Sequence, residues 1–334
     1  MPETSVLPPA KSPLPIPAHN AKTYARLYDY VATKCLGPTD VLAGFLSHLD
    51  LIRRTPLTEL VGRYETHSWP GYMWRNRRRL MQLLSSQAET TTEGIRARYN
   101  DHWSAEDVRR GRKRLRDYLV GGRLYQMPEL AYTPPLMQYL SGLYMRHIRP
   151  DDHVVEFGCG AGRNLMMLRQ LIPEIRCEGF DQSAEGISAC RDLATCLRMP
   201  ELHFGVLDLT NDDDFTTATA HIAPGAVLMT MGCLECVPGT ADVVRRLHRL
   251  RPRLILHFEP IAELYQSAFL SRDFFIRRHL QRVGYMTTLL TTVREYEQSG
   301  QATIRELARP GFGKALVEYA TLVWAPKTYA AGGG

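Results

Sequence analysis

The sequence predicts an α/β protein in which a mostly parallel sheet with helices on both faces follows a helical N-terminal part. After residue 150, short apolar runs of strand length alternate with amphipathic stretches of helix length, a pattern typical of parallel sheets. From residue 23 to residue 147, apolar residues instead recur at three- and four-residue spacing, which predicts helices. The 334 residues are enough for two such parts.

Composition is that of an ordinary globular protein. Hydrophobic residues make up 44% and charged residues 23% of the chain, which excludes wholesale disorder and fibrous repeats. The sequence contains no apolar run of about 18 or more residues that could cross a bilayer. Its seven cysteines are an odd number, and its start does not resemble a secretory signal. We therefore expect a soluble, cytoplasmic protein with reduced thiols.

The net charge of +6 is unevenly distributed. Residues 1–150 contain 22 basic and 13 acidic side chains, which gives a net charge of +9. Residues 151–334 contain 19 basic and 22 acidic side chains, which gives a net charge of −3. A basic N-terminal half is consistent with docking to an anionic partner and equally with a solvated, arginine-rich helix surface.

The N-terminal part begins with a tail and continues as several predicted helices. Residues 1–19 contain six of the 21 prolines, which predicts disorder, and residues 329–334 are predicted to be a flexible tail. Residues 20–130 are predicted to be helical, with a break near residues 121–122. Within them, Arg109, Arg112, Lys113 and Arg116 share one face of a predicted surface helix, and the buried face holds Leu115, Tyr118 and Leu119.

Five strands are predicted for the second part, at residues 153–157, 176–180, 202–206, 226–230 and 254–258. Residues 303–307 and 321–324 have Gly311 and Gly313 between them and no long apolar helix, which favours a closing antiparallel pair.

A glycine-rich loop follows the first of these strands. Residues 154–162 read Val-Val-Glu-Phe-Gly-Cys-Gly-Ala-Gly and lead into a predicted helix. Glycines let the backbone turn sharply and approach a ligand closely, and a helix start offers amide donors. Dinucleotide sites require G-x-G-x-x-G, whereas here the third glycine directly follows Ala161.

Residues 156–162 resemble the first motif of the class I S-adenosylmethionine-dependent methyltransferases, and residues 131–328 follow that family in order. The resemblance implies an enzyme with a Rossmann-like seven-stranded sheet, a helical lid over residues 20–130, and S-adenosyl-L-methionine (SAM) as the cofactor. It also implies that Asp181 meets the ribose hydroxyls and that Asp208 meets the adenine amino group. The residues implied for the cofactor are Glu156, Gly158, Cys159, Gly160, Gly162, Asp181, Gln182, Leu207, Asp208, Leu209 and Met231.

Three residues are candidates for a catalytic role. The segment 228–238 resembles the one that follows the fourth strand in many small-molecule methyltransferases, but Cys236 stands where that family often has His. His257 is therefore the first choice for a proton acceptor. Glu235 and Tyr265 are the other candidates, and each of the three could instead be structural. Cys233 and Cys236 form a C-x-x-C pair with no second pair, so no metal site is expected.

The resemblance favours methyl transfer to an oxygen, nitrogen or activated carbon of a small molecule, as in specialised metabolism. Tyr99, His102, Trp103 and Tyr125 precede or follow the basic segment and are candidate substrate contacts. The alternatives are an RNA or protein methyltransferase that docks through the basic half, and a non-catalytic binding protein. No membrane or nucleic-acid partner is expected for the small-molecule function, and the acceptor and the oligomeric state stay open.

Overall fold

The computed structural model describes residues 34–35, 116–127, 129–265, 272–283, 286–314 and 317–327. Tyr99, His102 and Trp103 lie outside these residues. The strands are β1 (Lys34–Cys35), β2 (Arg116–Val120), β3 (Arg123–Met127), β4 (His153–Phe157), β5 (Arg176–Asp181), β6 (Leu202–Val206), β7 (Val227–Met231), β8 (Leu254–Glu259), β9 (Ala302–Lys314) and β10 (Val317–Pro326). The helices are α1 (Glu129–His147), α2 (Arg163–Leu171), α3 (Ala184–Cys196), α4 (Asp212–Thr219), α5 (Thr240–Arg249), α6 (Arg272–Val283) and α7 (Leu289–Gln298).

Five neighbouring strands form the parallel part of the sheet, in the order β6-β5-β4-β7-β8. All five were predicted from their apolar runs, and their bounds agree to within one residue. The strand order reverses between β4 and β7, so the chain builds the sheet outward in both directions from that point. In open sheets of this kind, ligands bind at the carboxyl ends of the strands beside this reversal.

The predicted closing pair is confirmed. β10 runs antiparallel to β8, and β9 runs antiparallel to β10. However, Gly311 and Gly313 lie inside β9 rather than between the two strands. A Cβ on Gly311 would lie 2.3 Å from the backbone nitrogen of Gly122, so a glycine at this position lets the β2–β3 turn approach β9.

Two details of the predicted sheet are wrong. Across the described part of the chain the sheet has ten strands rather than seven. Five of its nine neighbour pairs there are antiparallel, so it is mixed rather than mostly parallel. The additional strands are β1, β3 and β2, which extend the sheet beyond β9.

The predicted helix is also wrong for residues 116–127, which form the hairpin β2–β3. Gly121 and Gly122 both have positive φ, at 56° and 79°, as a two-residue hairpin turn requires. Tyr118 and Leu119 are buried as predicted, at 2% and 1% exposure. Because they are adjacent in a strand, their side chains point to opposite faces of the sheet, which is therefore covered on both sides here.

Helices cover both faces of the sheet, as predicted. One core cluster contains buried side chains from α1, α2 and α3, and the other contains side chains from α4, α5 and α7. α6 packs separately, through Ile276 and Leu280, against Ala262 and Tyr265 beyond the end of β8. None of the helices in the described ranges is both long and apolar enough to cross a membrane.

Candidate cofactor and acceptor site

The glycine loop lies at the carboxyl end of β4, beside the reversal of strand order. Gly158, Gly160 and Gly162 all have positive φ, at 75°, 56° and 72°. A Cβ on Gly158 would lie 2.2 Å from the Sγ atom of Cys233, which belongs to the loop after β7. The glycine therefore lets the loops that follow two adjacent parallel strands pack against each other.

Asp181, the last residue of β5, holds the glycine loop. Its Oδ2 accepts a hydrogen bond of 2.9 Å from the Gly160 amide, and its Oδ1 accepts one of 2.8 Å from the Ser183 amide. The carboxylate is 8% exposed; burial raises its pKa, and the two backbone hydrogen bonds oppose that rise. Each carboxylate oxygen can accept a second hydrogen bond, so these contacts leave capacity for a ligand hydroxyl.

Glu156 lies fully buried beneath the glycine loop. Asn164, in the first turn of α2, donates a hydrogen bond of 2.6 Å from Nδ2 to Oε1 of this carboxyl. Burial raises the pKa of Glu156 to about 8, an effect that the Asn164 hydrogen bond reduces and the Asp181 charge increases. Oε2 has no hydrogen-bond partner among the residues described, so Glu156 is a buried polar group with bonding capacity at the carboxyl edge of the sheet.

Asp208 and Gln182 are both exposed. Oδ1 of Asp208 accepts hydrogen bonds from the Thr210 amide at 2.8 Å and from the Thr210 hydroxyl at 2.7 Å. These contacts fix the turn after β6. The Leu207 amide donates to the Asp181 carbonyl at 3.1 Å, which connects this turn to the end of β5.

The apolar members of the predicted cofactor set are more deeply buried. Leu207 and Leu209 belong to the core cluster that also contains Phe180 and Phe215, so their side chains support the turn from below. Cys159 is buried too, and burial and the neighbouring Cys190 raise the pKa of its thiol. Met231, the last residue of β7, is half-buried.

Glu235 is a half-buried carboxylate in the short 3-10 helix after β7. The Tyr319 hydroxyl donates a hydrogen bond of 3.3 Å to Oε1. Burial raises the pKa of Glu235 to about 6, while the positive charge of Lys314 and the Tyr319 hydrogen bond oppose the shift. A carboxylate with a pKa in this range can accept a proton near neutral pH.

Glu259 is central to this region, although no role for it was predicted from the sequence. Its Oε1 accepts hydrogen bonds from the Cys233 amide at 3.0 Å and the Leu234 amide at 3.2 Å. The side chain is fully buried, and burial raises its pKa to about 8. The sequence feature that could have identified Glu259 is its position as the acidic last residue of a parallel strand.

His257 does not reach the open edge of the sheet. It is fully buried inside β8, where Nδ1 lies 2.8 Å from the Thr230 hydroxyl and the ring stacks with Trp324 at a centroid distance of 6.5 Å. Burial lowers the pKa of His257 to about 3. The imidazole is thus neutral and in the core, which fits the structural alternative rather than a proton acceptor.

Tyr265 is buried and Tyr125 is half-buried. The Tyr265 hydroxyl donates to the Glu318 carbonyl, and the guanidinium of Arg309 lies 5.2 Å from the centre of the ring. This buried hydroxyl already has an acceptor, so a catalytic role has no support from its geometry. Tyr125 is half-buried in β3, opposite Tyr118 of β2.

No protein-family model matches the chain, and no curated protein matches it by sequence. Several solved structures align with it. A geranyl diphosphate C-methyltransferase from Streptomyces coelicolor A3(2) is 15% identical and aligns over 57% of this chain and 79% of its own, with a TM-score of 0.41. A magnesium protoporphyrin IX methyltransferase from Synechocystis PCC 6803 is 14% identical and aligns over 57% of this chain and 82% of its own, with a TM-score of 0.41. A plantazolicin methyltransferase is 14% identical and aligns over 58% of this chain and 82% of its own, with a TM-score of 0.39.

Proposed function

We propose that this protein is a SAM-dependent methyltransferase that acts on a small molecule. The observation that carries the proposal is the hydrogen bond that the Gly160 amide donates to the Asp181 carboxylate. This bond holds the acidic end of β5 against the glycine loop, beside the point where the strand order reverses. This arrangement suits a ligand with hydroxyl and amino groups rather than a free phosphate, because carboxylates accept hydrogen bonds.

The residues around the loop fit SAM. Asp181 would meet the ribose, and Asp208, on the exposed turn after β6, would meet the adenine amino group. Oε2 of Glu156 is buried and has no partner among the described residues, and we propose that it meets an ammonium or amide group of the bound cofactor. When bound, SAM supplies a methyl group on a sulfonium, a good leaving group for in-line displacement.

Glu235 is the group that we propose as proton acceptor. SAM held at the glycine loop would supply its methyl group to the electron pair of the acceptor atom, and the electrons of the carbon–sulfur bond would stay on sulfur. An acceptor hydroxyl or ammonium must also lose its proton, and Glu235 is a half-exposed carboxylate beside the cofactor loops. Otherwise the protein contributes by aligning the acceptor atom with the methyl group and by excluding water from the site.

The hairpin β2–β3 supports the proposal that the N-terminal part covers this site. β2 pairs with β9 at Tyr118 and Lys314, and the Lys314 charge lowers the pKa of Glu235. The N-terminal part is thus attached to the sheet on the Glu235 side. We propose that residues 20–130 form a lid and that residues 131–328 form the catalytic domain.

A location for the protein is proposed on chemical grounds. Cys159, Cys177 and Cys190 are free thiols, and all three are buried. Free buried thiols are typical of proteins from reducing compartments, so we propose the cytoplasm.

Calorimetry with SAM, S-adenosylhomocysteine and NAD tests the cofactor assignment. We expect saturable binding of the first two and none of NAD, because the glycine spacing differs from that of dinucleotide sites. A metabolite screen with isotopically labelled SAM then identifies the acceptor. Binding of NAD with no binding of SAM would overturn the proposal.

A further inference from the structure

We propose that Glu259 is a positioning residue that fixes the loop after β7 and thereby places Glu235 beside the acceptor. The inference rests on the proposed function in one respect, namely that Glu235 accepts the proton. Its structural part, the attachment of the loop to Glu259, can be tested without any enzymatic activity.

The attachment consists of one oxygen and two consecutive amides. Oε1 of Glu259 accepts from the Cys233 amide at 3.0 Å and from the Leu234 amide at 3.2 Å. Two adjacent amides that converge on one acceptor restrict the rotation of the peptide between them. Glu235 is the next residue, so the direction of its side chain depends on this pair of hydrogen bonds.

Other contacts restrict the same loop from the two sides of Glu259. The Gly232 amide donates to the Phe258 carbonyl at 3.0 Å, which continues the β7–β8 pairing up to the loop. Cys233 packs against Gly158, where a Cβ would meet its Sγ atom. The loop therefore lies between the glycine loop on one side and the end of β8 on the other, and Glu259 supplies the polar contact below it.

Because Glu259 is buried, loss of its contact with the loop cannot be compensated by water. The carboxyl is fully buried, so the two amides have no water to replace it if it is removed. The charged and titratable groups that face this pair are Glu235 on the loop, Lys314 on β9, Tyr319 on β10 and Tyr265 after β8. Burial, the largest effect, and the charge of Glu235 both favour the protonated form of Glu259.

A glutamine can reproduce the essential contact. A neutral carboxyl and a carboxamide both present one carbonyl oxygen to the two amides, whereas alanine presents none. Glu259→Gln should therefore retain the loop geometry, and Glu259→Ala should lose it. The chain also offers a matched control, Glu263, whose Oε1 accepts the Thr291 amide at 3.0 Å outside this loop.

The first measurement is hydrogen–deuterium exchange of the ligand-free protein. In Glu259→Ala we expect amide exchange at residues 231–237 to become faster, whereas Glu259→Gln should stay close to the wild type. Glu263→Ala should accelerate exchange at residue 291 and leave residues 231–237 unchanged. Unaltered exchange in the loop of a folded Glu259→Ala variant would overturn the inference, as would equal acceleration in the glutamine variant.

The second measurement is steady-state kinetics with an acceptor from the metabolite screen. We expect Glu259→Ala to lower kcat by about 10- to 100-fold, since a displaced group near the reacting atoms has effects of that size, with little change in the KM for SAM. Glu259→Gln should restore kcat to within about threefold of the wild type. If the wild type neither binds nor uses SAM, the proposed function fails while the exchange experiment still decides whether Glu259 fixes the loop.

Discussion

Oδ2 of Asp181 lies 2.9 Å from the Gly160 amide, so the last residue of β5 holds the loop that follows β4. Oδ1 of the same carboxylate accepts from the Ser183 amide, which begins the connection to α3. One buried side chain thus joins the loops after two neighbouring parallel strands at the point where the cofactor is proposed to bind.

Replacing Asp181 by alanine should weaken SAM binding and reduce stability. Two amides lose their acceptor, and each buried unsatisfied donor costs about 1–3 kcal/mol. We expect the SAM dissociation constant to rise at least roughly tenfold, which corresponds to about 1.4 kcal/mol. Calorimetry and thermal unfolding measure the two effects. An unchanged affinity in a folded variant would refute the ribose assignment of Asp181.

Substituting Gly158 by alanine should disrupt the cofactor site. The new Cβ would lie 2.2 Å from the Cys233 Sγ atom, at a residue whose φ is +75°. We expect loss of measurable SAM binding by calorimetry. Gly225→Ala is the matched control, because Gly225 also has positive φ but no atom within 4 Å of the added Cβ. If both variants bound SAM equally, contact between the two loops would not matter for the cofactor.

Methyl transfer to a hydroxyl or ammonium should decline as the pH falls through about 6. Glu235 must be ionised to accept a proton, and burial raises its pKa to about 6. The pH dependence of kcat should therefore show an acidic limb near that value. Glu235→Gln should remove the limb and lower kcat by about 10²- to 10⁴-fold. A limb that persisted in this variant would assign the proton transfer to another group.

Replacing His257 by asparagine should affect stability rather than the pH profile. The imidazole is buried with a pKa of about 3, so it stays neutral over the whole working range. Asparagine can retain a polar contact with Thr230 but loses the stacking on Trp324, and we expect a lower Tm by calorimetry. Retention of Tm together with loss of activity would instead support His257 as the proton acceptor.

Glu156 should make stability decrease with rising pH. Burial raises its pKa from 4.5 to about 8, so between these values the folded state holds a proton that the unfolded state has released. The free energy of unfolding therefore falls as the pH rises from about 5 to about 8. Glu156→Gln should reduce this slope in urea titrations and leave the part that comes from Glu259, whose pKa burial also raises to about 8. Glu174→Gln, at an exposed site, should leave the slope unchanged. A slope unchanged by Glu156→Gln would exclude this carboxyl as its source.

Local patterns were sufficient for much of the fold. Each parallel strand has its own apolar run, and the glycine loop is defined by seven consecutive residues, so both could be predicted without knowledge of distant contacts. The hairpin β2–β3 could not, because its short apolar segments lie among helix-like spacing. Only the pairing of Tyr118 with Lys314, nearly two hundred residues away in the chain, identifies it as part of the sheet.

The sequence by itself determined the order of the parallel strands along the chain and the acids and glycines at their ends. Only the tertiary structure decided which of those residues face the crevice. His257 and Glu259 are two positions apart and share one face of β8, yet the first lies in the core and the second reaches the loop amides. The reason is depth along the strand: a side chain one pleat inside the sheet is enclosed by neighbouring strands and helices, whereas one at its end meets the loops.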